Sequence, residues 1–178
     1  MGILALSEVG QSEVGVAGGK GANLSELVQA GFPVPPGFVV FADVYRSALA
    51  GADLTPAAAQ EHLLGFEFDE TELAAIEEAH ASMQSRSERE AGIVYAVRSS
   101  ATAEDLGDAS FAGQHETFYE VSFDELPDAI RRCWCSLWSE PAVAYRETQG
   151  IAHGDVAMAV VVQELIASDV SGITFTAN

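Results

Sequence analysis

Three short runs of β-branched and aromatic residues limit what this chain can fold into. They are residues 38–41, 93–97 and 158–165, and the last reads MAVVVQEL. Each run is far shorter than the roughly 18–20 apolar residues that cross a bilayer. Their composition is typical of buried strands. The sequence therefore predicts a sheet with a hydrophobic interior.

Helical patterns separate these strands. Thr55 before Pro56 indicates a helix start, and Ser122 with Glu125 predicts a capping box. The predicted helices cover residues 22–30, 41–50, 55–90, 122–137 and 141–148, and two further strands are predicted at 115–121 and 173–176. Because strands and helices alternate irregularly, we expect an α/β or α+β fold. At 178 residues the chain forms one domain, or two lobes of about 1–90 and 91–178.

The charge balance narrows the choice of partner. The chain has 27 acidic and 8 basic residues, a formal net charge of -19. Nucleic acids and anionic membranes attract clusters of Lys and Arg, so neither is an expected partner. The sequence begins without a basic, apolar leader, and we expect a cytoplasmic protein. The acidity itself is explained by solubility, whereas each basic residue becomes informative about anionic ligands.

Lys20 is the only lysine in the chain, and it lies in the glycine cluster Gly18-Gly19-Lys20-Gly21 before a predicted helix. Glycines allow a ligand to approach the backbone closely, and a helix N-terminus attracts anions. This combination predicts a phosphate-binding loop. The cluster is not a Walker A motif, because Gly21 stands where that motif has Ser or Thr. The alternative interpretation is a plain turn with an exposed lysine.

Arg98 is the second candidate, and we expect it at the carboxyl end of the strand 93–97. Ligands of α/β sheets collect at that end, and a guanidinium group with nearby hydroxyls suits phosphate. The hydroxyl residues that follow are Ser99, Ser100 and Thr102. The alternative interpretation is an ion pair of Arg98 with Glu104 or Asp105.

The segment 99–114 has no clear periodicity, and loops of this length are often functional. Gly113, Gln114 and Thr117 stand at its end and could position a phosphate or a ribose. Gln163 interrupts an apolar strand, and its amide needs a hydrogen-bond partner if it is buried. A bound base or ribose would satisfy it, and so would neighbouring backbone.

The cysteines and histidines do not indicate a metal centre. Cys133 and Cys135 lie two apart on a predicted helix, so they point in different directions and are expected to be free structural thiols. The histidines are dispersed without metal-ligand spacing, and we interpret them as surface or loop residues. They are His62, His80, His115 and His153.

Taken together, four segments resemble a known family. They are GGKGANLSELVQAGFPVPPGFVV, YAVRSSATAEDLGDASFAGQHETFYEV, CWCSLWSEPAVAYR and VVVQELIASDVSGITFTAN. In this order they look like the amino-terminal nucleotide-binding domain of phosphoenolpyruvate synthase, pyruvate phosphate dikinase and rifamycin phosphotransferase. The resemblance spans nearly the whole chain, and the second segment is the most specific.

The resemblance implies an ATP-grasp fold, with ATP bound between two lobes. It implies that ATP is cleaved to AMP and that the β-phosphate passes through a histidine on a separate domain to pyruvate or to an antibiotic. Lys20 and Arg98 would hold the phosphates, with Arg98 as a catalytic residue. Gly113 and Thr117 would lie along the triphosphate, and Gln163 near the adenine. Mg²⁺ would assist by neutralising charge, with its ligands expected outside this chain.

Some family features differ or are missing. Gly107 replaces a common proline, and His115 replaces a common glutamine. The second ATP-grasp half, the phosphohistidine domain and the acceptor domain are expected partners that lie outside these residues. We therefore expect an incomplete domain without phosphotransfer activity on its own. The alternatives are a stand-alone nucleotide-binding or regulatory module and a purely structural domain.

Overall fold

A computed structural model describes residues 2–85, 92–102 and 116–172. The strands are β1 (Ile3–Ala5), β2 (Gly37–Val40), β3 (Tyr95–Ala101), β4 (Thr117–Val121) and β5 (Met158–Glu164). The α-helices are α1 (Val14–Gln29), α2 (Ala42–Ala48), α3 (Pro56–Leu64), α4 (Glu70–Gln84), α5 (Leu126–Cys135) and α6 (Glu140–Gln149). Short 3-10 turns lie at Gln11–Glu13, Phe123–Glu125, Ser136–Trp138 and His153–Asp155.

The strands form a single sheet in the order β1-β2-β5-β3-β4 within the described part of the chain. Each neighbouring pair in that sheet is antiparallel. The mixture of helices with an antiparallel sheet makes this an α+β fold, the second of the two classes that the sequence allowed. The segments 1–90 and 91–178 both supply strands to this sheet, and β5 joins them at its centre.

Local sequence signals placed several element boundaries well. The capping box at Ser122 is present, with the Ser122 N–H donating to Glu125 Oε2 at 3.0 Å. The region 55–90 predicted as helical contains two helices, since α3 ends at Leu64 and α4 begins after Asp69, and residues 86–90 lie outside the described residues. Asp69 forms its own capping box with Glu72, accepting from the Glu72 N–H at 2.8 Å. The predicted strand 173–176 lies outside the described residues.

The hydrophobic core is centred on Trp134 of α5, which is fully buried. Its indole ring contacts the rings of Tyr45, Phe66 and Phe68 at centroid distances of 6.1, 5.8 and 5.7 Å. Trp138 donates from Nε1 to the Tyr45 hydroxyl at 3.0 Å. These contacts join α2, the α3–α4 connection and α5 into one packed layer beside the sheet.

One of the histidines, His80, is not the surface or loop residue that the sequence suggested. His80 is half-buried in α4, where its ring stacks on Phe123 with a centroid distance of 4.1 Å and contacts the Tyr95 hydroxyl. His153 accepts a hydrogen bond at Nδ1 from Arg146 Nε at 3.2 Å. The stacking of His80 on Phe123 is a long-range contact that spacing cannot show, whereas His153 lies in the 3-10 turn between α6 and β5 as a loop residue. His115 lies outside the described residues. Within the part of the chain that the structure describes, no helix is both long enough and apolar enough to cross a bilayer.

Candidate functional site

The sheet register places three of the predicted site residues on one face. Arg98 pairs with Val161 across β3 and β5, and with Thr117 across β3 and β4. Gln163 pairs with Ala96, two residues before Arg98. Residues directly opposite in an antiparallel sheet share a face, and alternate residues along one strand do so too. We call the side that carries Arg98, Ser100, Thr117 and Gln163 the polar face.

Arg98 lies in the middle of β3, not at its carboxyl end. The strand continues to Ala101, so the expectation of a strand-end arginine was wrong. The rule for the carboxyl ends of parallel strands does not apply here, because the sheet is antiparallel. What brings Arg98 to the polar face is its position in the strand alternation. Ser99, by the same alternation, lies on the opposite face.

Gln163 is held by its neighbours on the polar face. It is 6% exposed, and its Nε2 donates to the Pro35 carbonyl oxygen at 3.0 Å. Arg98 Nη1 donates to the Gln163 Oε1 at 3.5 Å, near the limit of a hydrogen bond. Of the two partners considered from the sequence, the structure provides the backbone one. Oε1 keeps acceptor capacity, because an amide oxygen has two lone pairs.

The glycine cluster is part of α1 and does not precede it. The helix runs from Val14 to Gln29 but is interrupted at Gly18, whose φ of 67° and ψ of 169° are not helical. The predicted helix start at residue 22 was therefore too late. A second helical piece begins directly after Gly18, and Lys20 lies in its first turn. The prediction that Lys20 stands at a helix N-terminus remains consistent with this geometry.

This second piece of α1 packs on the polar face. Gly21 lies so close to the sheet that a Cβ atom built on it would be 3.4 Å from Val39 Cγ1. Val39 pairs with Val161, which in turn pairs with Arg98, so all three share the polar face. The first turn of the helix therefore lies over the same face as the arginine.

Ser100 of β3 contacts α1 on both sides of Gly18. Its hydroxyl donates to the Ala17 carbonyl oxygen at 2.9 Å and accepts from the Gly21 N–H at 3.1 Å. The approach is tight, because a Cβ atom on Gly18 would lie 2.3 Å from the Ser100 carbonyl oxygen. Only glycine fits at position 18, for its positive φ and for this close contact.

Sequence reasoning missed two parts of this arrangement. Ser100 was considered only as a hydroxyl near Arg98, whereas it binds the backbone of α1, 83 residues away in sequence. The Pro35 carbonyl was not considered at all. A usable signal existed for it, since prolines cannot donate from their nitrogens and the run Pro35-Pro36 leaves carbonyls to be satisfied by side chains.

Other predicted site residues lie outside the described ranges. Gly113 and Gln114 are among them, and so are Glu104 and Asp105, the alternative partners of Arg98. Within the residues that the structure describes, no three His, Cys, Asp or Glu side chains are grouped closely enough to hold a metal ion. The described part of the chain therefore offers no cage of its own for a cation such as Mg²⁺.

Three groups whose pKa values are raised by burial, Cys133, Cys135 and Tyr95, lie away from the polar face. Burial raises the pKa of the Cys133 thiol to about 12 and that of the Cys135 thiol to about 11, which keeps both protonated and unreactive at neutral pH. Burial and the neighbouring Glu164 carboxylate raise the pKa of Tyr95 to about 12. These shifts arise from packing. Cys133 lies on α5 and not on the polar face.

Comparison with known proteins identifies the family of this chain. The family model described as pyruvate phosphate dikinase, AMP/ATP-binding domain, matches residues 14–62 and 55–178. A probable phosphoenolpyruvate synthase of Methanothermobacter thermautotrophicus is 39% identical over 96% of this chain and 28% of its own length.

A probable phosphoenolpyruvate synthase of Methanocaldococcus jannaschii is 40% identical over 97% of this chain and 16% of its own length. A rifampicin phosphotransferase of Streptomyces sviceus is 41% identical over 99% of this chain and 22% of its own length. The chain thus spans 16–28% of the length of these curated relatives. Because the family model covers the chain from residue 14 to its last residue, this protein belongs to the pyruvate phosphate dikinase AMP/ATP-binding domain family.

Proposed function

We propose that this chain is the ATP-binding portion of a dikinase-type phosphotransferase and has an ATP-grasp fold. The observation that carries the proposal is a convergence on the polar face. Arg98 and Gln163 project from neighbouring strands, and the α1 turn that carries Lys20 packs on the same face through Gly21. ATP would lie along this face, with its phosphates between Lys20 and Arg98.

The two basic residues suit this role in different ways. The Arg98 guanidinium is planar and can donate two parallel hydrogen bonds to phosphate oxygens, whereas Lys20 supplies a mobile point charge. The first turn of a helix adds partial positive charge and N–H donors. In a chain with a net charge of -19, such a local concentration of donors is needed to hold a triphosphate. Neutralising charge is also what phosphoryl transfer chiefly requires.

Gln163 and Thr117 would place the rest of the nucleotide. The Gln163 amide nitrogen is already used by Pro35, so its orientation is set before a ligand arrives. The amide oxygen would then accept a hydrogen bond from the adenine amino group. Thr117, opposite Arg98, would lie along the triphosphate together with Gly113.

The complete reaction would need parts beyond these residues. We propose that ATP is cleaved to AMP and that the β-phosphate moves to a histidine on a downstream domain, and from there to pyruvate or to an antibiotic such as rifamycin. The carboxylates that hold Mg²⁺ would also come from outside this chain, as the family resemblance implies.

Calorimetric titration of the 178-residue chain with ATP and Mg²⁺ tests the binding proposal. We expect saturable, weak binding that falls at least about tenfold in Lys20→Ala and in Arg98→Ala, because each removes a charge-assisted contact to phosphate. Arg46→Ala is the matched control. Arg46 is an exposed arginine of α2 paired with Asp43 at 2.7 Å, so its loss should leave ATP affinity unchanged.

Several outcomes would contradict the proposal or a part of it. A folded chain that binds no ATP would show that the nucleotide needs a second lobe. Equal losses in all three variants would mean that nonspecific charge attracts ATP. Formation of AMP by the isolated chain would contradict the need for downstream domains, while tight binding without turnover in the full-length protein would favour a regulatory nucleotide-binding module.

A further inference from the structure

The break in α1 has an identifiable cause on the opposite strand. In an uninterrupted helix the Gly21 N–H would donate to the Ala17 carbonyl, four residues earlier. Here the Ser100 hydroxyl stands between them, accepting from Gly21 at 3.1 Å and donating to Ala17 at 2.9 Å. A side chain inserted into the helical hydrogen-bond ladder is a recognised cause of a kink. Ser100 thus replaces one backbone bond with two bonds through its own oxygen.

The insertion is fully satisfied and sealed from water. Ser100 is 0% exposed, and its hydroxyl has one donor and one acceptor partner. Gly18, which forms the break, has the φ of 67° that lets the chain pass around the serine. A buried hydroxyl of this kind is costly unless both roles are used, and here both are used.

We propose that Ser100 is a positioning residue for the nucleotide site, which fixes the Lys20 turn relative to Arg98. Ser100 and Arg98 are two residues apart on the same strand and share the polar face. One end of the Ser100 contact is Gly21, the residue directly after Lys20. The strand that carries the arginine is therefore bonded to the turn that carries the lysine. This proposal rests on the proposed function, since it names what aligns the two phosphate-binding groups.

The test compares Ser100→Ala with Ser99→Ala in the same chain. Ser99 is also buried, at 2% exposure, but lies on the opposite face, so its variant controls for losing a hydroxyl from β3. Without the hydroxyl the Gly21 N–H can bond directly to Ala17 and Gly18 can relax toward a helical φ. We expect ATP affinity to fall about tenfold in Ser100→Ala, and adenosine affinity to stay constant, because the phosphate contact alone is lost.

A double-mutant cycle separates positioning from a general loss of structure. If Ser100 acts through Lys20, Ser100→Ala combined with Lys20→Ala should bind ATP within about twofold of Lys20→Ala alone. Additive losses, or equal losses for ATP and adenosine, would overturn the proposal. A fall in ATP affinity in Ser99→Ala as large as that in Ser100→Ala would overturn it as well.

A second readout needs no nucleotide. In backbone amide NMR spectra, Ser100→Ala should shift the signals of Gly18, Lys20 and Gly21 more than Ser99→Ala does. If these signals do not move, Ser100 does not set the turn and the proposal is wrong. If they move but the wild-type chain binds no ATP, the binding function fails while the positioning of the turn stands.

Discussion

The two faces of the sheet are built from alternate residues of the same strands, yet they differ in what they carry. On one side, which we call the apolar face, Tyr95, Val97, Val160 and Val162 are fully buried. On the other, the same two strands present Arg98, Ser100 and Gln163. A buried apolar residue would stabilise the fold more simply than a buried amide that needs partners. The difference supports the proposed nucleotide site, because residues that bind ligands often depart from the choice that is simplest for stability.

The largest effect should come from the apolar side. Trp134→Ala removes the side chain at the centre of the aromatic cluster and should lower the free energy of unfolding by about 3–5 kcal/mol. Urea titration followed by circular dichroism measures this. Phe32→Ala is the control, since Phe32 is 59% exposed and its loss should stay within about 0.5 kcal/mol.

The same variant also tests how separate the two faces are. The folded fraction of Trp134→Ala should bind ATP with unchanged affinity, because Trp134 contacts no residue of the polar face among its ring neighbours. A change beyond about threefold, or about 0.65 kcal/mol, would mean that packing and the site are coupled through the sheet.

Gly18→Ala should lower both stability and ATP affinity, because Gly18 shapes the α1 break that belongs to the fold and to the proposed nucleotide site. The new methyl group would meet the Ser100 carbonyl oxygen at 2.3 Å, in addition to the cost of a positive φ. We expect a loss of about 2–5 kcal/mol in unfolding free energy, together with weaker ATP binding.

Gly31→Ala is the matched control for Gly18→Ala. Gly31 has a φ of 81° but nothing within 4 Å of the added Cβ, so only the backbone strain of about 1–2 kcal/mol applies. Equal losses in the two alanine variants, measured by thermal unfolding, would show that the contact with Ser100 adds nothing to the cost at position 18.

The smallest effect concerns the edge strand β4. The register shifts by a bulge between Tyr95 and Val97, so Phe118 and Val121 both pair with residues of the apolar face. Glu120 lies in this bulge, exposed, with a φ of 56°. Glu120→Gly should raise the unfolding free energy by about 1 kcal/mol by removing strain.

Glu120→Ala separates the backbone effect from the loss of a carboxylate. Alanine keeps the strained conformation, so its stability should remain near that of the unchanged chain in chemical denaturation. A similar gain in both variants would mean that the Glu120 charge, and not its backbone, is unfavourable. ATP affinity should be unchanged in both.

The parts of this fold that could be predicted are local in sequence. The Ser122 capping box needs only residues three apart, and the strand at Met158–Glu164 is visible from its composition. Arg98 and Lys20 were recognisable because basic residues are rare in an acidic chain. The outcome for Gly113 stays a prediction, since that residue lies outside those described.

The rest depends on which strands become neighbours. The alternation around Arg98 was readable, but the length of β3 and its antiparallel partners decided that Arg98 lies mid-strand. The contact of Ser100 with Gly21 joins residues 79 apart, and no spacing pattern encodes it. Gln163 had two possible partners by sequence, and only the path of the Pro35 segment distinguishes them.

The central place of β5 also has a consequence for how the chain acquires its structure. Its neighbours β2 and β3 do not pair with each other, and among the described strands they are joined through β5, which comes latest in the sequence. During synthesis, residues 37–40 must wait for residues 160–163 before the pairing of β2 with β5 can form. Such long-range pairing raises the contact order and slows folding. The nascent chain therefore holds two unjoined strand pairs with open edges until nearly all of these residues have emerged from the ribosome.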